Sequence, residues 1–288
     1  MQNKIVAVIP AYNEENTVIE VIDKVFNYCD YVIVVNDSST DNTQELLNNY
    51  NNKNLIIVEN SKTLGIGGSM KKGILKALEF NPKIIIKIDA DGQHKPEDIP
   101  RFIREIEESN YDLIKGNRFF DVESLVRMPK IKILGNLFIT NIQKIVSGNY
   151  QISDPNNGFL AIRSSKIQLI NLDQLKNNYF FENSLAITFY AHNFKIGEIG
   201  IETIYKNEKS SIPILLAGIK IIPVFAIFLF KKNILTARLK LSMNSITFFL
   251  GVLLFLINSF LQIQLLWVGL LFLIIFYILT DVINFFKN

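Results

Sequence analysis

The sequence predicts an α/β protein: a Rossmann-like, doubly wound, mostly parallel sheet, followed by interfacial helices and a C-terminal transmembrane helical hairpin. Three observations carry this expectation. Up to about residue 115, short β-branched runs alternate with amphipathic helical stretches, the pattern of repeated βαβ units. Each of these runs leads into a polar or glycine-containing loop at the start of a helix. Between Leu241 and Thr280 lie 40 consecutive positions without a charged residue.

The first strand is read as Ile5–Ile9, too short for the apolar core of a signal peptide and followed by Pro10 without a cleavage pattern. The helix starting near Glu14 carries Val18, Val21, Ile22 and Val25 at helical spacing. Tyr31–Val35 is the second strand. The helix after Thr40 opens with Asp41 and Thr43, which can cap it beside Gln44 and Glu45. Leu55–Val58 is the third strand, Leu64-Gly65-Ile66-Gly67-Gly68-Ser69 starts the next helix, and Ile84–Ile88 is the fourth strand. Such alternation implies parallel strands joined by crossovers. From Arg118 to Tyr205 the pattern loosens into a basic amphipathic stretch around Pro129–Val146, a turn at Asp154-Pro155-Asn156-Asn157-Gly158 and a helix near Glu182–Ala191. This part is expected to complete a site begun by the first four strands.

The uncharged C-terminal run would be about 60 Å long as one helix, roughly twice the hydrocarbon thickness of a bilayer. Two spans fit better, approximately Asn244–Leu261 and Leu265–Phe285, with Asn258, Ser259, Gln262 and Gln264 at the turn. A soluble hairpin of buried helices is the alternative. Ile212–Phe230 is also apolar, but a crossing there would strand Lys231, Lys232, Arg238 and Lys240 on the far side with no acids among them. It would also place Lys220 at bilayer depth. The chain therefore divides into an α/β domain at 1–211, interfacial helices at 212–244 and two transmembrane helices at 245–288. The expected location is a cell membrane, multi-pass, with the α/β domain and both termini on the cytoplasmic side.

A net charge of +3 is too small to imply a nucleic-acid partner. The single Cys29 excludes an intramolecular disulfide and a multi-cysteine zinc site, and it reads as a small apolar packing residue.

The fourth strand ends in Asp89-Ala90-Asp91-Gly92-Gln93-His94. Two carboxylates one residue apart at a strand's carboxyl end can hold a divalent cation where phosphate ligands bind, an arrangement that suits a nucleoside diphosphate. Pro10-Ala11-Tyr12-Asn13-Glu14-Glu15 follows the first strand and Asn36-Asp37-Ser38-Ser39-Thr40-Asp41 the second, with Asp37 able to accept from a base or ribose. After the third strand, the glycines of Leu64–Ser69 let backbone approach a ligand closely. Taken singly, these loops also read as turns and helix caps; the ordered set of four argues for a nucleotide site.

These motifs, with Gly116-Asn117-Arg118, Asp154–Phe159 and Tyr179-Phe180-Phe181-Glu182-Asn183, resemble those of family 2 glycosyltransferases with the GT-A fold, close to the polyprenyl-phosphate (dolichyl-phosphate) glycosyltransferases. The resemblance covers residues 4 to about 211. It implies that Pro10, Ala11, Tyr12, Asn13, Glu14, Asn36, Asp37, Gly65, Gly67, Asp89 and Ala90 contact the nucleotide, and that Asp89, Asp91 and Gln93 hold Mg²⁺ or Mn²⁺. Arg118 and Arg127 fall where the family has acceptor-binding arginines, and Lys209 in Glu208-Lys209-Ser210 resembles a basic site before the membrane. Lys130, Lys132 and Lys144 are left as a membrane-facing patch.

The partners implied are a UDP- or GDP-sugar donor, polyprenyl or dolichyl phosphate as acceptor, and membrane lipids, in a chain compatible with homo-oligomerisation. A lipid phosphate is largely dianionic at neutral pH and needs no strong base, which favours direct displacement with inversion. Asp154 and Glu182 stand as carboxylates that could assist Asp89, Asp91 and Arg118 in catalysis. Two departures stand out. The second motif commonly reads Asp-Asp-Gly-Ser where this chain has Asn36-Asp37-Ser38-Ser39, and Ser184 stands where close relatives often carry an aspartate. A hydroxyl acceptor on a lipid or glycan, or a non-catalytic membrane docking module, are the competing readings.

Overall fold

The computed structural model describes residues 4–120, Thr140 and 152–204, all within one compact unit. Strands β1 (Ile5–Ala11), β2 (Tyr31–Asn36), β3 (Leu55–Glu59), β4 (Ile84–Lys87), β5 (Leu113–Asn117), β6 (Leu160–Arg163) and β7 (Ile196–Gly200) form one sheet in the order β3-β2-β1-β4-β6-β5-β7. The helices are α1 (Val18–Val25), α2 (Thr43–Asn48), α3 (Ile66–Leu78), α4 (Ile99–Glu108), α5 (Ser164–Ile167) and α6 (Phe181–Ala191).

Because successive strand residues face opposite sides, each β-branched run feeds two cores. Ala7 and Ile9 of β1 pack with α1, α2 and α4 through Val18, Ile22, Leu47, Ile99 and Phe102. Val6 and Val8 of the same strand pack with α3, α5 and α6 through Met70, Ile74, Ile167, Phe181 and Phe189. The near-continuous apolar strands follow from this two-sided burial. Cys29 is buried in the first of these cores, as its packing role requires.

The sheet is mixed but mostly parallel, and the four strands of the N-terminal alternating pattern are all parallel, as expected. β1, β2, β3 and β4 are parallel neighbours, and β5 pairs parallel with β7, but β6 runs antiparallel to both β4 and β5. β6 and β7 lie where the periodicity loosens, and β5 just before it is interrupted by Lys115 and Gly116, so pattern alone did not reveal them. Boundaries shift as well. Pro10 and Ala11 belong to β1, opposite Val35 and Asn36, and α1 begins at Val18 rather than near Glu14 because residues 14–17 form a turn first. The N-cap of α2 is Asn42, without a side-chain capping bond, rather than Asp41 or Thr43; Asp41, one residue earlier, accepts from the Thr43 N–H at 3.0 Å.

Among the described residues, no helix is long and apolar enough to cross a membrane. The stretch Pro129–Val146 save Thr140, the interfacial segment 212–244, both spans, Arg127, Lys130, Lys132, Lys144 and Lys209 lie outside the described residues.

Candidate active site

Six of the seven strands end at one edge of the sheet, and antiparallel β6 begins there, so every loop singled out from the sequence within the described residues gathers at that edge. β2 and β4 flank β1, making the β1/β4 position the topological switch point where open α/β sheets bind ligands.

On the β1–β3 side, polar side chains stitch consecutive loops together. Asn13 sits at φ 57°, in the left-handed region that asparagine tolerates, and its Oδ1 accepts from the Thr40 N–H at 2.8 Å. Its own N–H donates to Ser39 Oγ at 3.0 Å, and the Glu14 N–H donates to Thr43 Oγ1 at 2.8 Å. Asn36 Oδ1 accepts from the Ser39 N–H at 3.1 Å. Tyr12 projects into solvent, 48% exposed. Ser38, standing where the related motif commonly has glycine, adopts φ 61° and donates from Oγ to the Asn60 carbonyl at 2.6 Å, which anchors the strained position.

Asp37 is buried with both oxygens engaged: Oδ1 accepts from Asn60 Nδ2 at 2.7 Å and the Leu64 N–H at 2.8 Å, and Oδ2 from the Gly65 N–H at 2.8 Å. It organises the entry to α3 as a carboxylate cap for a loop from another element. The close approach that Gly65 and Gly67 permit is to the chain itself. A Cβ at Gly65 (φ 81°) would meet the Asn177 carbonyl oxygen at 2.7 Å, and one at Gly67 would meet the Lys176 carbonyl oxygen at 2.1 Å.

At the end of β4, Asp91 Oδ1 accepts from the Gln93 N–H at 2.9 Å, closing the Asp91–Gln93 turn. The Ile204 N–H donates to the Gln93 carbonyl at 2.9 Å and His94 bridges to Thr203, tying the loop to the segment after β7. Ala90 is buried. Burial pushes the His94 imidazole down to about 4 despite the pull of Asp89, so it is neutral at pH 7, and its ring lies beside Phe159.

Asp89 is bound to the one residue that the apolar run concealed. The Lys87 side chain is 0% exposed, and its ammonium donates to Asp89 Oδ1 at 2.6 Å and to the Gly158 carbonyl at 3.0 Å, and pairs with Glu182 Oε1 at 3.0 Å. Burial disfavours the charged amine, but Asp89 and Glu182 outweigh it and raise its pKa. Burial likewise opposes the Asp89 carboxylate, and Lys87, His94 and Lys115 outweigh it and hold its pKa below the ordinary value.

The far side of the edge is built from further buried charges. Asp154, fully buried, accepts from Arg118 Nε at 2.7 Å and Nη2 at 2.8 Å, a bidentate pair. Burial would raise its pKa, but the guanidinium and Lys115 bring it below the ordinary value. Glu198 Oε1 accepts from the Ser153 and Asp154 N–H groups at 2.9 and 2.8 Å, while Oε2 accepts from Asn117 Nδ2 at 2.6 Å. Lys115, fully buried in β5, donates to the Asn157 carbonyl at 2.9 Å, and burial pushes its pKa down to about 8.

The structure thus brings Asp89, Glu182, Asp154 and Arg118 to one edge with Asp91 and the β1–β3 loops. Lys87, Lys115 and Glu198 were missed by sequence reasoning. The available signal for the two lysines was their place directly after the apolar runs Ile84–Ile86 and Leu113–Ile114 of two buried strands.

Among the described residues, no three His, Cys, Asp or Glu side chains cluster so as to hold a metal. The half-buried Asp89 and Asp91, with Gln93, form an oxygen-only donor set that would leave further positions to water and donor phosphates. That composition fits Mg²⁺ or Mn²⁺, which commonly bind through one or two carboxylates plus substrate phosphates.

The chain is 32% identical over 214 residues to a UDP-N-acetylglucosamine–dolichyl-phosphate N-acetylglucosaminyltransferase of Methanococcus voltae, covering 69% of this chain and 84% of that one. It is 26% identical to the dolichyl-phosphate beta-glucosyltransferase ALG5A of Trichomonas vaginalis, covering 68% of this chain and 64% of that one. The fold is similar to that of glucosyl-3-phosphoglycerate synthase from Mycobacterium tuberculosis, crystallised with Mn²⁺ and UDP-glucose, with a TM-score of 0.55, 18% identity and 73% of each chain covered. Residues 6–169, more than half of the chain, match Glycosyl transferase family 2, and with this α/β, GT-A-like mixed sheet the chain belongs to that family of glycosyltransferases.

Proposed function

We propose that this glycosyltransferase is membrane-bound, depends on Mg²⁺ or Mn²⁺, and transfers a sugar from a UDP- or GDP-linked donor to polyprenyl or dolichyl phosphate with inversion. The observation that carries the reading is the pairing, at one sheet edge, of Asp89 and Asp91 beside the β1–β3 loops with Arg118 and Asp154 on the β5–β6 side. The M. voltae relative, whose name gives UDP-N-acetylglucosamine as donor and a dolichyl phosphate as acceptor, supports the same division. The first two loops receive the nucleotide, with Tyr12 exposed there as a contact surface. Asp89, Asp91 and Gln93 would hold the cation, which as a Lewis acid offsets the negative charge developing on the departing nucleoside diphosphate.

Arg118 presents a guanidinium to the acceptor side and, with Arg127 and Lys209, would orient the phosphate oxygens. Asp154 holds that guanidinium in place through two hydrogen bonds. Both candidate bases are committed to cations, Asp154 to Arg118 and Glu182 to Lys87. A carboxylate whose pKa is depressed, as that of Asp154 is, makes a poor proton acceptor. This favours a phosphate nucleophile, already anionic, over a hydroxyl that must be deprotonated. The uncharged run Leu241–Thr280 supplies the membrane part of the proposal: helices at 212–244 on the cytoplasmic leaflet, two spans beyond, and the active site on the cytoplasmic side.

Asp91→Ala tests the metal role. The expected result is loss of metal-dependent turnover with an unchanged circular dichroism spectrum; wild-type activity in this variant would overturn the assignment.

A further inference from the structure

Lys87 is a residue whose cost to the fold needs a reason. An ammonium with no solvent exposure is expensive unless all its donors are met, and here three N–H groups face three acceptors. They are Asp89 Oδ1 at 2.6 Å, Glu182 Oε1 at 3.0 Å and the Gly158 carbonyl at 3.0 Å. The three acceptors come from three different parts of the chain: the end of β4, the first turn of α6, and the loop that enters β6.

The loop entering β6 is gripped from both sides. β4 and β5 flank β6, and each sends a buried lysine to one of two consecutive carbonyls, Lys87 to Gly158 and Lys115 to Asn157. Gly158 is pressed so closely on the aspartate that a Cβ there would lie 2.0 Å from Asp89 Oδ2 and 2.8 Å from Lys87 Nζ. Asp89 is therefore confined on both oxygens, Oδ1 by the ammonium and Oδ2 by the glycine backbone. A carboxylate offers about four lone-pair sites, so the pairing with Lys87 leaves capacity for a further ligand.

We infer that Lys87 is a positioning residue: its ammonium fixes the orientation of the Asp89 carboxylate for cation and diphosphate binding and locks it to Glu182 and the loop that carries Asp154. The inference rests on the metal role of Asp89 proposed above. It assigns Glu182 to Lys87 as a counter-charge rather than to the substrate as a base. Groups that orient a metal ligand are typically worth about 10–100-fold in metal affinity.

The test is direct Mn²⁺ uptake by the full-length protein in detergent, followed by loss of the free-ion electron paramagnetic resonance signal, with UDP and with GDP present. Lys87→Met removes the ammonium at similar volume, and a Lys87→Met/Glu182→Gln double variant removes the buried pair together, so that the fold is not left with an additional unpaired acid. The expected result is Mn²⁺ uptake weakened about 10–100-fold in both variants, with the double variant melting closer to wild type than the single one. Wild-type-like or tighter uptake in the double variant would overturn the positioning role and leave Lys87 as a brace of the fold. Absence of Mn²⁺ uptake by the wild-type protein would remove the metal reading itself, and with it this assignment.

Discussion

The two halves of the carboxyl edge are held by different forces. On the β1–β3 side the loops are joined by hydrogen bonds of neutral groups, such as Asn13 with Thr40 and Ser38 with Asn60. Backbone N–H groups there also donate to the partly exposed carboxylates of Glu15 and Asp41 and to the buried one of Asp37. On the β4–β7 side the contacts are buried ion pairs and charge-assisted bonds, Lys87 with Asp89 and Glu182, Arg118 with Asp154, and Glu198 with the 153–154 backbone. Exposed loops can adapt to a nucleotide at modest energetic cost. Buried charges hold one geometry, because each group that moves leaves another unpaired in a low-dielectric interior. The difference places the adaptable surface where the nucleotide is proposed to bind and the rigid one where the proposed displacement occurs.

The sharpest way to break this comparison is Lys87→Met. Leaving Asp89 and Glu182 buried without their cation should cost about 3–5 kcal/mol in urea denaturation, and a loss below about 1 kcal/mol would erase the contrast between the halves. Asp154→Asn should cost about 3 kcal/mol, at the lower end because Arg118 keeps some solvent contact. It also carries a pH signature. The Asp154 pKa is depressed in the folded state, so its stabilisation is complete above the ordinary value of 3.8 and fades as pH falls through that value toward the folded pKa. Acid titration of stability should therefore be flatter below about pH 4 in Asp154→Asn than in the wild type.

The same comparison explains what could be read from the sequence. The β1–β4 half was legible because its ligand loops directly follow strands with strong apolar periodicity, and the Asp89–Asp91 pair ends such a strand. The other half depends on pairings remote in the chain: Arg118 with Asp154, Asn117 with Glu198, and Lys87 with Glu182. No local period encodes which acid will meet which base. Lys87 was hidden for a further reason: in Ile84-Ile85-Ile86-Lys87 it continues a buried strand, and only the fold shows that its ammonium stays inside. The glycines of the third loop carry a further physical use that the motif did not reveal, since Gly65 and Gly67 make room for the 176–177 backbone.

Smaller effects should be found in the β1–β3 half. Asp37→Ala removes three hydrogen bonds to one carboxylate and should cost about 1.5–3 kcal/mol by thermal or urea denaturation, the largest single effect among those loops. Asn13→Gly keeps the left-handed backbone and loses the bond to Thr40, for about 0.5–1.5 kcal/mol, and should act more on donor KM than on stability. A cost there equal to that of Lys87→Met would show that both halves are equally rigid.

The central claim, metal-dependent sugar transfer to a lipid phosphate, is tested most directly by incubating the purified full-length protein in detergent with polyprenyl phosphate, UDP- or GDP-sugars and Mg²⁺ or Mn²⁺, then analysing the organic extract by mass spectrometry. The account predicts a glycosylated lipid phosphate that disappears on chelation; release of nucleotide with no glycosylated lipid phosphate would contradict it.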